Sequence, residues 1–79
     1  LRRYTVTEKT WTRRPYKPGW YMIYDRRGRL RAFAERRPSW WHFYWASDDQ
    51  PTPHSAPCRY ETLRDGADAY TRLAADYDV

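Results

Sequence analysis

The side chains able to do covalent or metal chemistry in this chain are few and scattered. His54 and Cys58 stand four residues apart, a spacing open to two metal ligands, but the stretch around them holds Pro51, Pro53 and Pro57 and supplies no two further ligands. His42 lies among aromatic residues, where a stacked or hydrogen-bonded structural histidine is the expectation. Asp48-Asp49 suits a solvated turn or a helix cap and has no paired base or glycine-rich phosphate loop near it. Cys58 is expected to be a small buried apolar residue rather than a nucleophile. With no nucleophile set beside a base, the chain is expected to be neither an enzyme nor a holder of metal or cofactor.

A second chemistry, recognition of anions, is written into the charge pattern. Residues 1–45 carry twelve Lys or Arg against three Asp or Glu, and residues 46–79 carry three against seven, which divides the net charge of +5 into +9 and −4. Like charges this dense repel one another unless solvent or a partner neutralises them. The basic segment also holds all five Trp. Cations interleaved with rings suit nucleic acid, the rings stacking on bases and the cations holding phosphates. Thirteen of the fifteen cations are Arg, whose planar guanidinium matches both roles.

These side chains need elements to position them. Residues 4–8 alternate apolar and polar as a half-buried strand does, and residues 10–19, with Pro15, Pro18 and Gly19, are expected to form a basic loop. Residues 20–25 form a second strand. Asp25-Arg26-Arg27-Gly28 then suits a type I turn with Gly28 in the left-handed conformation, and residues 29–35 return as the partner strand. After a connection at 36–39, residues 40–46 are a fourth run rich in strand-forming rings. Residues 48–60 are expected to be a proline-rich linker. Over residues 61–78, Leu63, Ala67, Tyr70, Ala74 and Tyr77 draw one stripe along an amphipathic helix, with Thr62 and Asp65 as a capping box and Gly66 as a weak point. The whole is expected to be one α+β domain, an antiparallel meander of three to four strands at 1–47 with a C-terminal helix on one face.

A three-residue loop at 26–28 would pair Tyr24 with Leu30, Met22 with Ala32 and Trp20 with Ala34, and a further pairing of Glu35 with Trp40 would add Trp41, Phe43 and Trp45 to the same face. Large rings against alanines would then receive the helix, as befits a chain with four Leu, two Val, one Ile and one Met against fifteen aromatics. The other face would carry Tyr21, Ile23, Arg29, Arg31, Phe33, Trp40, His42 and Tyr44. Tyr21, Phe33, Trp40 and Tyr44 are the expected stacking platforms, and Arg13, Arg14, Lys17, Arg26, Arg27, Arg36 and Arg37 the expected loop contacts to a nucleic-acid backbone.

The order strand, turn, strand, helix resembles, on residues 20–35 and the helix from Thr62, the arm-binding domains of phage-type integrases. That resemblance implies a three-stranded sheet, backed by one helix, that reads DNA. Here the strand at 40–46 and the proline-rich segment interrupt the unit, and no site residue is carried over.

The expected function is a small non-catalytic binding module for DNA or RNA. The alternative is a protein-binding or inhibitory module of the kind phages and mobile elements encode, meeting an acidic protein surface or forming a homodimer through the same face. One cysteine precludes an internal disulfide and suits a reducing compartment, the cytoplasm by default, and no apolar run approaches the roughly 20 residues of a membrane span.

Overall fold

The computed structural model describes residues 10–77, with side chains described through residue 72. Five strands, β1 (Trp11–Lys17), β2 (Trp20–Asp25), β3 (Leu30–Arg36), β4 (Trp41–Trp45) and β5 (Cys58–Tyr60), are followed by one helix, α1 (Leu63–Tyr77). The strands form a single antiparallel meander in the order β1-β2-β3-β4-β5. The α+β class and the helix packed on one face are as expected, with one strand more. No helix of the described residues is long and apolar enough to cross a membrane.

Two of the strands differ from the sequence expectation. Within the expected loop at 10–19, Trp11–Lys17 form β1, because Pro15, which cannot donate to a ladder, sits on the strand that is outermost among the described residues, a position where proline is tolerated. The pairing slips between Pro15 and Lys17, so β1 bulges at Tyr16. The segment 48–60 ends in β5, which pairs with β4 as soon as Pro57 is passed. The strand expected at residues 4–8 lies outside the described residues.

The β2–β3 turn forms as its residues dictate. Gly28 N–H donates to the Asp25 carbonyl (2.9 Å), Gly28 takes φ 82°, and the Asp25 carboxylate accepts from Arg27 N–H (2.9 Å) and Arg29 N–H (3.0 Å). Tyr24 pairs with Leu30 as expected, but Ile23 then pairs with Ala32, which leaves Arg31 as an extra residue in β3. A one-residue slip exchanges the faces of everything beyond it. Tyr21 and Ile23 therefore lie on the helix side with Ala32 and Ala34, while Trp20, Met22 and Tyr24 lie on the opposite face with Phe33. The β3–β4 pairing is two residues from the expected one, Glu35 opposite His42, so its faces are kept.

This arrangement gives the helix a shallow bed. Ile23, Ala32 and Ala34 are fully buried beneath it, and Phe43, Ala67 and Tyr70 close the core, with Trp11, Trp41, Trp45, Tyr60 and Leu63 around them. Tyr70 lies 4.3 Å from Trp45 and 5.4 Å from Phe43 between ring centroids and donates its hydroxyl to the Phe43 carbonyl (3.1 Å). Burial lifts its phenol pKa well above the ordinary range. Thr62 caps α1 through its Oγ1, which accepts from Asp65 N–H at 3.1 Å. Gly66 is the point of closest approach: a Cβ there would fall within 2.0 Å of the Phe43 ring. The residue of low helix propensity is what lets the helix sit against the sheet. The first three stripe residues, Leu63, Ala67 and Tyr70, pack as expected, and the side chains of Ala74 and Tyr77 lie outside the described residues.

Candidate nucleic-acid interface

The face opposite the helix is not the open aromatic patch that the sequence suggests. Phe33 is 0% exposed, and with Leu30 and Ala46 it forms a second small core under Trp20, Met22, Tyr24 and Tyr44. Tyr16 closes over Phe33 edge-on (4.9 Å), and Trp20 stacks on Tyr44 (5.5 Å, interplanar angle 22°). Phe33 is therefore a core residue, not a stacking platform. Tyr21 is displaced to the helix side, where it lies half-buried 6.0 Å from Trp41.

Above this core runs a polar row, one residue from each strand: Lys17 opposite Trp20, Trp20 opposite Glu35, Glu35 opposite His42, and His42 opposite Arg59. Glu35 is its hub. Its carboxylate accepts from the Tyr44 hydroxyl (3.0 Å) and from the Arg37 guanidinium (3.3 Å), and His42 Nδ1 stands 3.8 Å away. Burial, and then the bond to Glu35, push the Tyr44 pKa up, so the phenol stays protonated and donates. His42 Nε2 accepts from the Trp40 indole N–H (3.1 Å), which fixes it as the unprotonated ring nitrogen in this arrangement. His42 thus serves as a structural spacer between Trp40 and Glu35.

The expected cations divide into two groups according to what holds them. At the β2–β3 turn, Arg31 pairs with Asp25 (2.9 Å) and Arg29 lies 3.5 Å from the same carboxylate. Burial would raise the pKa of Asp25, but the N–H groups of Arg29 and Arg27 and the hydrogen bond and charge of Arg31 outweigh it and hold the carboxyl below its ordinary range. Arg29 and Arg31 are thereby committed to the fold, and Arg26 and Arg27 stand exposed in the turn between them and β2.

Elsewhere the cations lie over rings. Arg13 sits 5.0 Å from the Tyr21 centroid, Arg14 5.1 Å from Tyr24, Lys17 5.2 Å from Trp20 and 5.6 Å from Tyr16, and Arg36 5.3 Å from Trp41. Arg59, a residue the sequence reading missed, lies 4.1 Å over Trp40. Among the described residues none of these five cations stands within ion-pair distance of an acid. Arg13, Arg14 and Lys17 are strand residues of β1 rather than loop residues, and Arg36 ends β3. They gather along the β1 edge and at the sheet end formed by the β1–β2 and β3–β4 connections. There a shallow depression of about 400 Å³ is lined by Arg36, Arg37, Pro38, Ser39, Trp40, Trp41 and Glu61. The β2–β3 turn lies at the other end of the same strands.

Trp20, Tyr24, Tyr16 and Trp41 also belong to this surface and were placed elsewhere or passed over by sequence reasoning. The signal for Arg59 was its position just past the last proline of a β-prone triplet. Among the described residues no three His, Cys, Asp or Glu side chains come together to hold a metal ion. His54 Nδ1 lies 3.1 Å from the Thr52 carbonyl, while Cys58, expected to be buried, is instead exposed in the short strand β5 opposite Phe43. Comparison with protein-family models, curated proteins and solved structures finds no match.

Proposed function

We propose that this protein is a non-catalytic module that binds nucleic acid through cations fixed over aromatic rings along β1 and at the adjacent end of the sheet. The observation that carries this reading is the set of five cations, Arg13, Arg14, Lys17, Arg36 and Arg59, each 4.1–5.6 Å from a ring centroid and, among the described residues, without an acid within ion-pair distance. A guanidinium over a ring keeps its full charge and all its N–H donors while losing much of its freedom, so less order remains to be imposed when a phosphate arrives. An Arg paired with a carboxylate has already spent its charge.

The same surface is poorly suited to adding a strand from another chain. Pro15, the bulge at Tyr16 and the neighbouring cations interrupt the β1 edge as a template, which favours a polyanion over edge-to-edge pairing with a second copy. The test is fluorescence anisotropy of labelled oligonucleotides titrated at low and physiological salt. Micromolar or tighter binding at physiological salt, weakening with salt as phosphate contacts release counterions, is expected. Absence of binding at physiological salt to every oligonucleotide tried would overturn the reading in favour of an acidic protein partner.

A further inference from the structure

Resting on the nucleic-acid reading, we infer that the ligand is duplex DNA, entered at its major groove by the β1 edge, with phosphates of the two DNA strands held from the sheet's two faces. The first observation is where the ring-held cations point. Arg13 pairs across to Ile23 and lies over Tyr21 on the helix side, whereas the next residue, Arg14, pairs with Met22 and lies over Tyr24 on the opposite side. Arg36 extends the first group, because Trp41 beneath it neighbours Tyr21 at 6.0 Å; Lys17, over Trp20, extends the second. Cations on both sides of one edge fit two rows of phosphates better than one.

The second observation concerns the rings. A single strand is gripped by bases stacking on free aromatic faces. Here Trp20 is stacked on Tyr44 and carries Lys17, Trp40 carries Arg59, Tyr24 carries Arg14, and Phe33 is 0% exposed. Bases would have to displace these contacts, so the surface offers phosphate-binding groups and few stacking sites.

The third is shape. The B-form major groove, about 12 Å wide, admits a two-stranded ribbon, whereas the deep, narrow major groove of an RNA duplex does not. Among the described residues β1 is the outermost strand, and residues 12–19 are exposed along it and its turn, so the β1–β2 ribbon can enter a groove without disturbing the helix.

The experiment compares anisotropy titrations of a labelled DNA duplex, one of its single strands and an RNA duplex of the same sequence with the full chain at physiological salt. The DNA duplex is expected to bind on the order of 10-fold more tightly than either alternative, and Arg13→Glu and Arg14→Glu each to weaken it and lower the salt slope by about one. Thermal melts of both variants, with Arg13→Gln and Arg14→Gln as milder substitutions, separate lost contacts from lost fold. A single strand or RNA duplex bound as tightly as the DNA duplex would overturn this inference and leave the broader reading standing, as would an effect of Arg14→Glu without one of Arg13→Glu. No binding to any of the three would overturn both.

Discussion

The molecule holds arginine in two ways, one around the β2–β3 turn and the other along β1 and at the far end of the sheet. Around the β2–β3 turn, one carboxylate, Asp25, receives two backbone N–H groups and the Arg31 side chain, with Arg29 close by. Along β1 and around residues 36–41, rings take the place of the acid. Both arrangements restrict a long side chain. Only the first neutralises it, so the first builds structure and the second leaves charge available to a partner. The difference also explains why total charge misleads: the front segment's cations look equivalent in sequence, yet Arg29 and Arg31 are internal to the fold and Arg13 and Arg14 are not.

The sharpest way to break this comparison is to remove what fixes the rings. Phe33 lies under Tyr16, Trp20 and Tyr44, and Phe33→Ala is expected to cost about 3 to 5 kcal/mol in chemical denaturation, as for a buried aromatic elsewhere. A near-wild-type melt would mean that this face is an open platform after all.

The second largest effect is expected at the acid-held end. Asp25→Ala strips two N–H groups and a guanidinium of their acceptor and should cost about 2 to 3 kcal/mol, with affinity for oligonucleotides changed less than twofold at temperatures where the variant is folded. Because the folded carboxyl titrates below its unfolded value, its stabilisation is fully present above the ordinary carboxylate range and is lost as pH falls through the folded value. Below about pH 4, the wild type should therefore lose stability that Asp25→Asn does not have to lose. Parallel acid curves for the two proteins would show that the turn does not depend on this charge.

How much of this was legible in the sequence depended on the range of the interaction concerned. The Asp25 to Gly28 turn and the Thr62 cap are written in residues a few positions apart, and the helix stripe needs only period counting. A core of rings and alanines follows from a chain with little else to bury. The bulge at Arg31 has no local signature, because nothing in Leu30-Arg31-Ala32 announces an extra residue, and it moved Tyr21 from the expected binding face to the helix side. β1 was hidden by Pro15, whose objection applies to a central strand and lapses at an edge, a distinction only the finished sheet can make. Gly66 was read correctly as a poor helix former; that Phe43 lies against it is a contact across 23 positions. Of the candidate site, the residue types were legible and the grouping was not, since acid-held and ring-held arginines differ only in what folds beside them.

The ring-held end yields smaller and more specific effects. Trp40 is half-buried in the connection just before β4, so Trp40→Ala is expected to change stability modestly while lowering oligonucleotide affinity several-fold by releasing Arg59. Arg59→Gln should lower affinity to a similar extent, and the double variant little further, because ring and cation act as one unit; additive losses would show that Trp40 touches the ligand itself. The smallest effect is expected at Arg26 and Arg27, which are exposed, lie over no ring and stand at the end of the sheet away from Lys17, Arg36 and Arg59. Substituting both with Gln should leave stability within about 0.5 kcal/mol and affinity within about twofold, with the salt slope unchanged, because cations that make no phosphate contact release no counterions on binding. A loss matching that of Arg13→Glu would place the ligand along the whole length of the strands, and charge number rather than ring support would then decide which arginines bind.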